Sequence, residues 1–221
     1  KTVRNIYKRY KRQLILDNTH AFFADKAMVN YSFNSARKFF GVSDGAFLYM
    51  DGIEYNNDNI KSQLKESPKS HLIHLREGKR EIAFKEYRQA ESEMNAEIEK
   101  ISSYSVDLLG KLDYKFIRER RVKNFNILAL ELKDYNSLEV SEVTTEIPFA
   151  YPFLSKTKLQ REQLISKGIF FPRLWPNVLE DSVKEFSFEK KLARDMFPLP
   201  IDHRWKEQEM NYIISIIKRE I

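Results

Sequence analysis

Four side chains with acid–base or nucleophilic chemistry lie close together near the start of the chain. Asp17 follows the first of three short apolar runs, and His20 comes three residues later. Ser32 closes the second run, and Lys38 precedes the third. A carboxylate, an imidazole, a hydroxyl and an amine on neighbouring loops could hold a cofactor and move protons. An amine in aromatic surroundings is poorly solvated, and this favours a nucleophile that forms Schiff bases.

The elements that must position these groups are strands. The three apolar runs, 14–16, 28–33 and 46–50, each begin or end at a polar or turn residue, which is typical of buried strands in an α/β sheet. Ligands of such sheets bind outside the ends of the strands. We therefore expect Asp17 and Lys38 to face one aromatic-lined hollow from adjoining strand ends.

Each candidate also has a simpler role on its own. Asp17 could cap a turn, His20 could be a hydrogen-bonded structural histidine, and Ser32 could satisfy local backbone groups. Lys38 could be a solvated charge, although Phe39 and its neighbours make its loop aromatic. The ordered combination, not any single residue, predicts a site. Lys26 is the alternative lysine.

This order of residues resembles a known family. An Asp, a His three residues later, a Ser-Phe pair, a Lys and then an acidic-Gly-Ala strand start are similar to the centre of the DegT/StrS-like aminotransferases. These are fold type I enzymes that use pyridoxal 5'-phosphate (PLP) to aminate keto sugars on nucleotide carriers. The ending FPLPIDHRWKEQEMNYI also resembles the C-terminus of that family. The resemblance implies that this chain is the C-terminal part of such an enzyme.

The resemblance also implies roles for the candidates. Asp17 would pair with the pyridine nitrogen of PLP, and His20 would lie against the ring. Ser32 would reach the cofactor phosphate. Lys38 would form a Schiff base with the cofactor aldehyde and then act as the acid and base of transamination. An amino donor, a keto-sugar acceptor and a homodimer are the partners that the family implies.

Composition favours a soluble globular protein. Hydrophobic residues make up 42% of the chain and charged residues 32%, and no apolar run approaches the ~20 residues of a membrane helix. The absence of cysteine excludes disulfides and thiolate metal sites, and it fits a cytoplasmic protein. The net charge of +6 comes from residues 1–12, which hold six basic residues and no acid. We interpret this segment as a solvated helix face and expect neither a nucleic acid nor a membrane as partner.

Helices dominate the middle of the chain. We predict a helix over 2–12, one over 79–101 with an apolar stripe that includes Ile82 and Phe84, and a second long one from about 102 to 132. In the family, two long helices bridge the large and small domains. The basic run Arg118–Lys123 is most simply a solvated face. His71 and His74 are three residues apart, but no third ligand accompanies them, so we predict no metal site.

A compact α/β cap is predicted for the last third. Strands are expected at 148–154 and 169–171, and helices at 158–167, 182–194 and through Met210 to Ile217. The family resemblance implies a further Leu-Pro strand within 196–200. Gly168 would end the helix before it. The loop FPRLWPNV is rigid because of its prolines, and it places Arg173 and Trp175 as candidates for substrate contact, although Trp175 could equally be a hydrophobic plug.

The fold class expected is therefore α/β. Residues 1–100 would be the end of the fold type I large-domain sheet, with the PLP site, and residues 101–221 a connecting helix and a small C-terminal α/β domain. An aminotransferase is the preferred function. A non-catalytic ligand-binding or regulatory protein of the same fold, or an anion-binding module that uses residues 1–12, stays open.

Overall fold

The computed structural model describes residues 2–24, 29–51, 69–93, 99–180 and 187–221. The chain forms two compact units, Lys1–Leu112 and Asp113–Ile221. Each unit combines helices with one small sheet, which agrees with the α/β class. Lys26, the alternative lysine, lies outside the described residues. No helix in the described ranges has the length and apolar character needed to cross a membrane.

The first unit contains a three-stranded sheet of order β1-β2-β3. Helix α1 (Thr2–Tyr10) precedes β1 (Ile15–Asp17), which runs parallel to β2 (Tyr31–Ser35). Strand β3 (Ala46–Met50) is antiparallel to β2. All three predicted strands therefore form, and the carboxyl ends of β1 and β2 share one edge of the sheet.

The predicted burial of these strands is wrong for two of them. Only β2 alternates between buried and half-buried residues. Ile15 in β1 is 64% exposed and Leu48 in β3 is 60% exposed, and both residues lie in the outer strands of the sheet. Short apolar runs indicate strands without showing how many faces are covered.

The described part of the first unit has three further helices: α2 (Ser70–Arg76), α3 (Arg80–Ser92) and α4 (Ser103–Gly110). The helix predicted over 79–101 is wrong at its C-terminal end: α3 ends at Ser92, residues 94–98 lie outside the described ranges, and residues 99–101 are not helical. In its apolar stripe, Ala83 is buried, whereas Ile82 is 50% and Phe84 67% exposed.

The long helix predicted from about 102 to 132 is in fact two helices. Ser102 caps α4, where its hydroxyl accepts a hydrogen bond from the Ser105 amide at 3.2 Å. Asp113 caps α5 (Tyr114–Leu132), where its carboxylate accepts from the Phe116 amide at 2.9 Å. Periodicity missed this break because an Asp within an amphipathic pattern is ambiguous until its side chain is seen to cap.

The second unit is built around α5 and the last helix, α8 (Glu207–Glu220). A two-stranded antiparallel sheet, β4 (Ala150–Phe153) and β5 (Phe197–Pro200), pairs Tyr151 with Leu199. The unit also holds α6 (Arg161–Ser166) and α7 (Ser187–Asp195), with residues 181–186 outside the described ranges. The core side chains come from α5, α8, the sheet and α6, and include Leu128, Leu132, Phe153, Leu164, Leu199, Met210 and Ile217.

Two predictions for this unit need correction. Residues 169–171 form no strand, because the Ile169 amide bonds back to the Leu164 carbonyl and the Arg161 guanidinium donates to the Phe171 carbonyl at 3.0 Å. The run Arg118–Lys123 is not wholly solvated, because Arg121 is only 1% exposed. The expected C-cap at Gly168 is confirmed, with φ of +78°.

Candidate functional site

Asp17 and Lys38 stand at the same edge of the three-stranded sheet. Asp17 is the last residue of β1, and a single 3-10 turn, Ala36–Lys38, follows β2 directly. We refer to Ala36–Lys38 as the Lys38 turn. The Asp17 carboxylate is exposed and accepts a hydrogen bond from the Thr19 amide at 2.8 Å. This contact folds the chain back after β1 and brings His20 towards the strand ends.

His20 lies within electrostatic reach of both candidates. Burial lowers the pKa of the half-buried His20 imidazole, the positive charge of Lys38 lowers it further, and the negative charge of Asp17 opposes them. Since ordinary histidine titrates near 6.5, His20 is neutral at pH 7. The charges of Asp17 and Lys38 therefore both act on the His20 imidazole, and a shared site for the three side chains stays a prediction.

The Lys38 turn is fixed by its own backbone. Ala36 is fully buried, and its amide donates to the Gly45 carbonyl at 2.9 Å. The Ala36 carbonyl accepts from the amides of Phe39 at 3.0 Å and Phe40 at 2.9 Å. A rigid turn is what a reactive amine needs in order to meet its target in one geometry. Lys38 itself is half-buried.

Aromatic side chains surround this turn and contact one another. The ring centroid of Phe22 lies 4.8 Å from that of Phe40, 5.9 Å from that of Phe39 and 6.0 Å from that of Phe47. Phe23 packs edge-on against Phe39 at 5.7 Å. These rings form a packed cluster that includes Phe39 and Phe40, the two residues that follow Lys38.

Ser32 is separated from the other three candidates. The register pairs Asp17 with Phe33 and Leu16 with Ser32, so the pleat directs Asp17 and Ser32 to opposite faces of the sheet. Ser32 is fully buried, and its hydroxyl has no hydrogen-bond partner among the described residues. The side-chain oxygen of Asn34, on the same face, is also buried without a hydrogen-bond partner among the described residues. Unpaired buried oxygens of this kind cost roughly 1–3 kcal/mol each unless a further group supplies a donor.

Arg173 and Trp175 belong to the second unit. Both are exposed, and Trp175 has a left-handed backbone with φ of +49°. Arg161 lies near them: its guanidinium stacks over the Phe171 ring at 4.6 Å. Burial lowers the pKa of Arg161, and the charge of Arg173 lowers it further. The sequence reasoning did not identify Arg161, because nothing local indicates that a residue of α6 meets this loop.

The sequence pattern also did not predict an ion pair next to Lys38. Arg37 forms an ion pair with Glu91 of α3 at 3.8 Å, and Tyr87 donates a hydrogen bond to the same carboxylate at 2.5 Å. Arg37 and Glu91 are 54 positions apart in the sequence, and no motif links them. Only the packing of α3 in the first unit reveals the contact.

The candidate residues fit the pyridine ring and aldehyde of PLP better than its phosphate. The pyridine nitrogen needs a fixed anion, and the aldehyde needs an amine with a nearby neutral base, which Asp17, Lys38 and His20 would supply. The phosphate needs several donors, and among the candidates only the buried Ser32 hydroxyl remains for it. Comparison with known proteins adds no family: no family model and no curated protein matches this chain.

Proposed function

We propose that this chain acts as a PLP-dependent aminotransferase, or as the part of one that carries the reactive lysine. The observation that supports the proposal is that Asp17 and Lys38 act on His20 from the ends of two adjacent parallel strands. The order of residues that resembles the DegT/StrS-like family supports the same conclusion. That resemblance favours a keto sugar, on a nucleotide carrier, as the acceptor.

Each residue has a distinct task in this proposal. When bound, PLP serves as the electron sink that makes amino-group transfer possible. The Asp17 carboxylate holds a proton on the pyridine nitrogen through its charge. His20, neutral at pH 7, lies against the ring without adding a second charge to it. The Ser32 hydroxyl is buried on the face of the sheet opposite Asp17, so this proposal gives it no contact with the cofactor.

Lys38 has two tasks in succession. Its amine would hold the cofactor by the aldehyde and, once freed, would serve as the acid and base that moves a proton during amino-group transfer. The buried Ala36 and the backbone hydrogen bonds of the Lys38 turn fix the point from which the lysine side chain extends. General acid–base catalysis of this kind contributes roughly 10²–10⁴-fold to a rate.

Reductive trapping tests the assignment. The protein is mixed with PLP, reduced with borohydride and digested, and the pyridoxyl group is located by mass spectrometry. We expect the label on Lys38 and its loss in Lys38→Ala. Lys111→Ala is the matched control, because Lys111 is an exposed lysine paired with Asp107 at 2.6 Å. A label on another lysine, Lys26 included, or no label at all, contradicts the proposal.

A second function, a non-catalytic ligand-binding or regulatory protein of the same fold, is favoured by one observation. Ser32 lies on the face opposite Asp17 and is fully buried, so the site has few hydrogen-bond donors for the cofactor phosphate. Labelling of Lys38 without release of a keto acid from any amino donor would favour this second function. Keto-acid release that depends on Lys38 would favour the enzyme.

A further inference from the structure

The Lys38 turn carries two adjacent cations that are directed to different neighbours. In a 3-10 helix, successive side chains are about 120° apart, so Arg37 and Lys38 cannot share a direction. The Arg37 guanidinium reaches Glu91 of α3 at 3.8 Å, and its side chain is only 19% exposed. Lys38 instead lies within electrostatic reach of His20. The turn is thus held by α3 on one side and presents its amine on the other.

The Glu91 carboxylate of α3 is held in position by a neighbouring side chain. The phenol of Tyr87, one helical turn earlier, donates a hydrogen bond to the Glu91 carboxylate at 2.5 Å. Burial, followed by this hydrogen bond and the charge of Glu91, raises the pKa of Tyr87 to about 12, so the donor proton stays in place at physiological pH. The Tyr87 ring in turn packs against the buried His71 of α2, with centroids 5.9 Å apart.

The helix pair has its own internal ion pair that does not touch the turn. His74 of α2 and Glu86 of α3 lie 2.8 Å apart. Two ion pairs of α3 can therefore be compared. The His74–Glu86 pair links α3 to α2, and the Arg37–Glu91 pair links α3 to the residue before Lys38. This provides a matched control for any effect on the lysine.

We infer that Glu91, held by Tyr87, is a positioning residue that sets the reach of the Lys38 amine by clamping Arg37. Calling Lys38 the reactive lysine rests on the proposed function; the clamp itself does not. Loss of the clamp removes this ion pair of Arg37 and loosens that side of the Lys38 turn, so the amine becomes more accessible to small reagents but meets a bound carbonyl in its productive geometry less often.

Competitive acylation of the whole chain with acetic anhydride, read by mass spectrometry at each lysine, tests the clamp without PLP. In Glu91→Gln we expect Lys38 to be acylated about two- to fivefold faster than in the wild type, the range that a partly exposed ion pair supplies. Lys111 should be unchanged. Tyr87→Phe should give a smaller increase in the same direction, and Glu86→Gln none. Reductive trapping with PLP should be slower in Glu91→Gln by a similar factor.

The outcomes separate the two proposals. Unchanged acylation of Lys38 in Glu91→Gln overturns the clamp, and so does an equal increase at all lysines or in Glu86→Gln, because either would reflect general loosening. The expected acylation pattern without any pyridoxyl label on wild-type Lys38 supports the clamp and contradicts the aminotransferase.

Discussion

Arg121 of α5 donates from its guanidinium to the Asp202 carboxylate at 3.2 Å, across 81 residues of sequence. The same guanidinium donates to the carbonyls of Pro148 at 3.3 Å and Phe149 at 3.1 Å. Arg121 therefore joins α5, the approach to β4 and the segment between β5 and α8. Asn124, one turn further along α5, adds a bond to the Trp205 carbonyl at 3.1 Å.

Asp202→Asn should destabilise the second unit strongly. The substitution leaves the Arg121 charge buried without its counterion, and breaking a buried pair costs about 3–5 kcal/mol. Denaturant unfolding measures the loss. Asp195→Asn is the control, because the Asp195–Arg194 pair is exposed and worth about 0–1 kcal/mol. Equal losses in the two variants would contradict the role given to Asp202.

The same pair predicts sensitivity to acid. Burial by itself would raise the pKa of Asp202, but the hydrogen bond and charge of Arg204 and the charge of Arg121 outweigh it and hold the pKa below the ordinary 3.8. A lowered carboxyl pKa contributes stability above pH 3.8 that is lost as the pH falls towards the folded-state value. Unfolding measured from pH 5 to pH 2 should show this loss in the wild type, and a smaller slope in Asp202→Asn.

Gly45 should not tolerate a side chain. Its φ is +114°, and an added Cβ would lie 2.7 Å from the Ile101 Cδ1 atom. Gly45→Ala should therefore lower the free energy of unfolding by about 1–3 kcal/mol, from backbone strain and overpacking. Gly110→Ala is the matched control: nothing lies within 4 Å of its Cβ position and it ends α4, so it should be neutral or slightly stabilising. A neutral Gly45→Ala variant would contradict the tight contact with Ile101.

Ser102→Ala should weaken the start of α4 and its link to the turn after Lys38. The Ser102 hydroxyl accepts from the Ser105 amide and donates to the Asp44 carboxylate at 3.0 Å. Loss of an N-cap costs about 0.5–2 kcal/mol, and the Asp44 oxygen also loses the Ser102 hydroxyl as a donor while keeping the Ser102 amide at 3.4 Å. Thermal unfolding compares Ser102→Ala with Ser103→Ala, an exposed neighbour that should have little effect. Similar results for the two would remove the capping role.

The electrostatic link between Asp17, His20 and Lys38 can be measured without a cofactor. Lys38→Met removes a positive charge and should raise the pKa of His20, whereas Asp17→Asn removes a negative charge and should lower it. Titration of the His20 ring protons by NMR measures both shifts. His74, paired with Glu86 instead, is the internal control. An unchanged His20 in both variants would mean that the three side chains do not form one site.

The sequence by itself determined the elements whose signals are local. The strands near 15, 31 and 46, the helices α1, α6 and α8, and the C-cap at Gly168 follow from periodicity, turn residues and backbone preference. The same reading placed Asp17 and Lys38 at adjacent strand ends, because two parallel strands bring their carboxyl ends to one edge. These candidate residues could be located in this way because they follow their strands closely in the chain.

Only the tertiary structure decided what lies far apart in sequence. It buried Arg121, which belongs to a basic run that looks solvated in the sequence. It also placed Ser32 and Asp17 on opposite faces of the sheet, because Ser32 pairs with Leu16 and not with Asp17. It also brought Glu91 to Arg37. Periodicity reports which side of an element is apolar, but not which distant charge will compensate a buried one, because that energy belongs to a pair of residues and not to either sequence position alone.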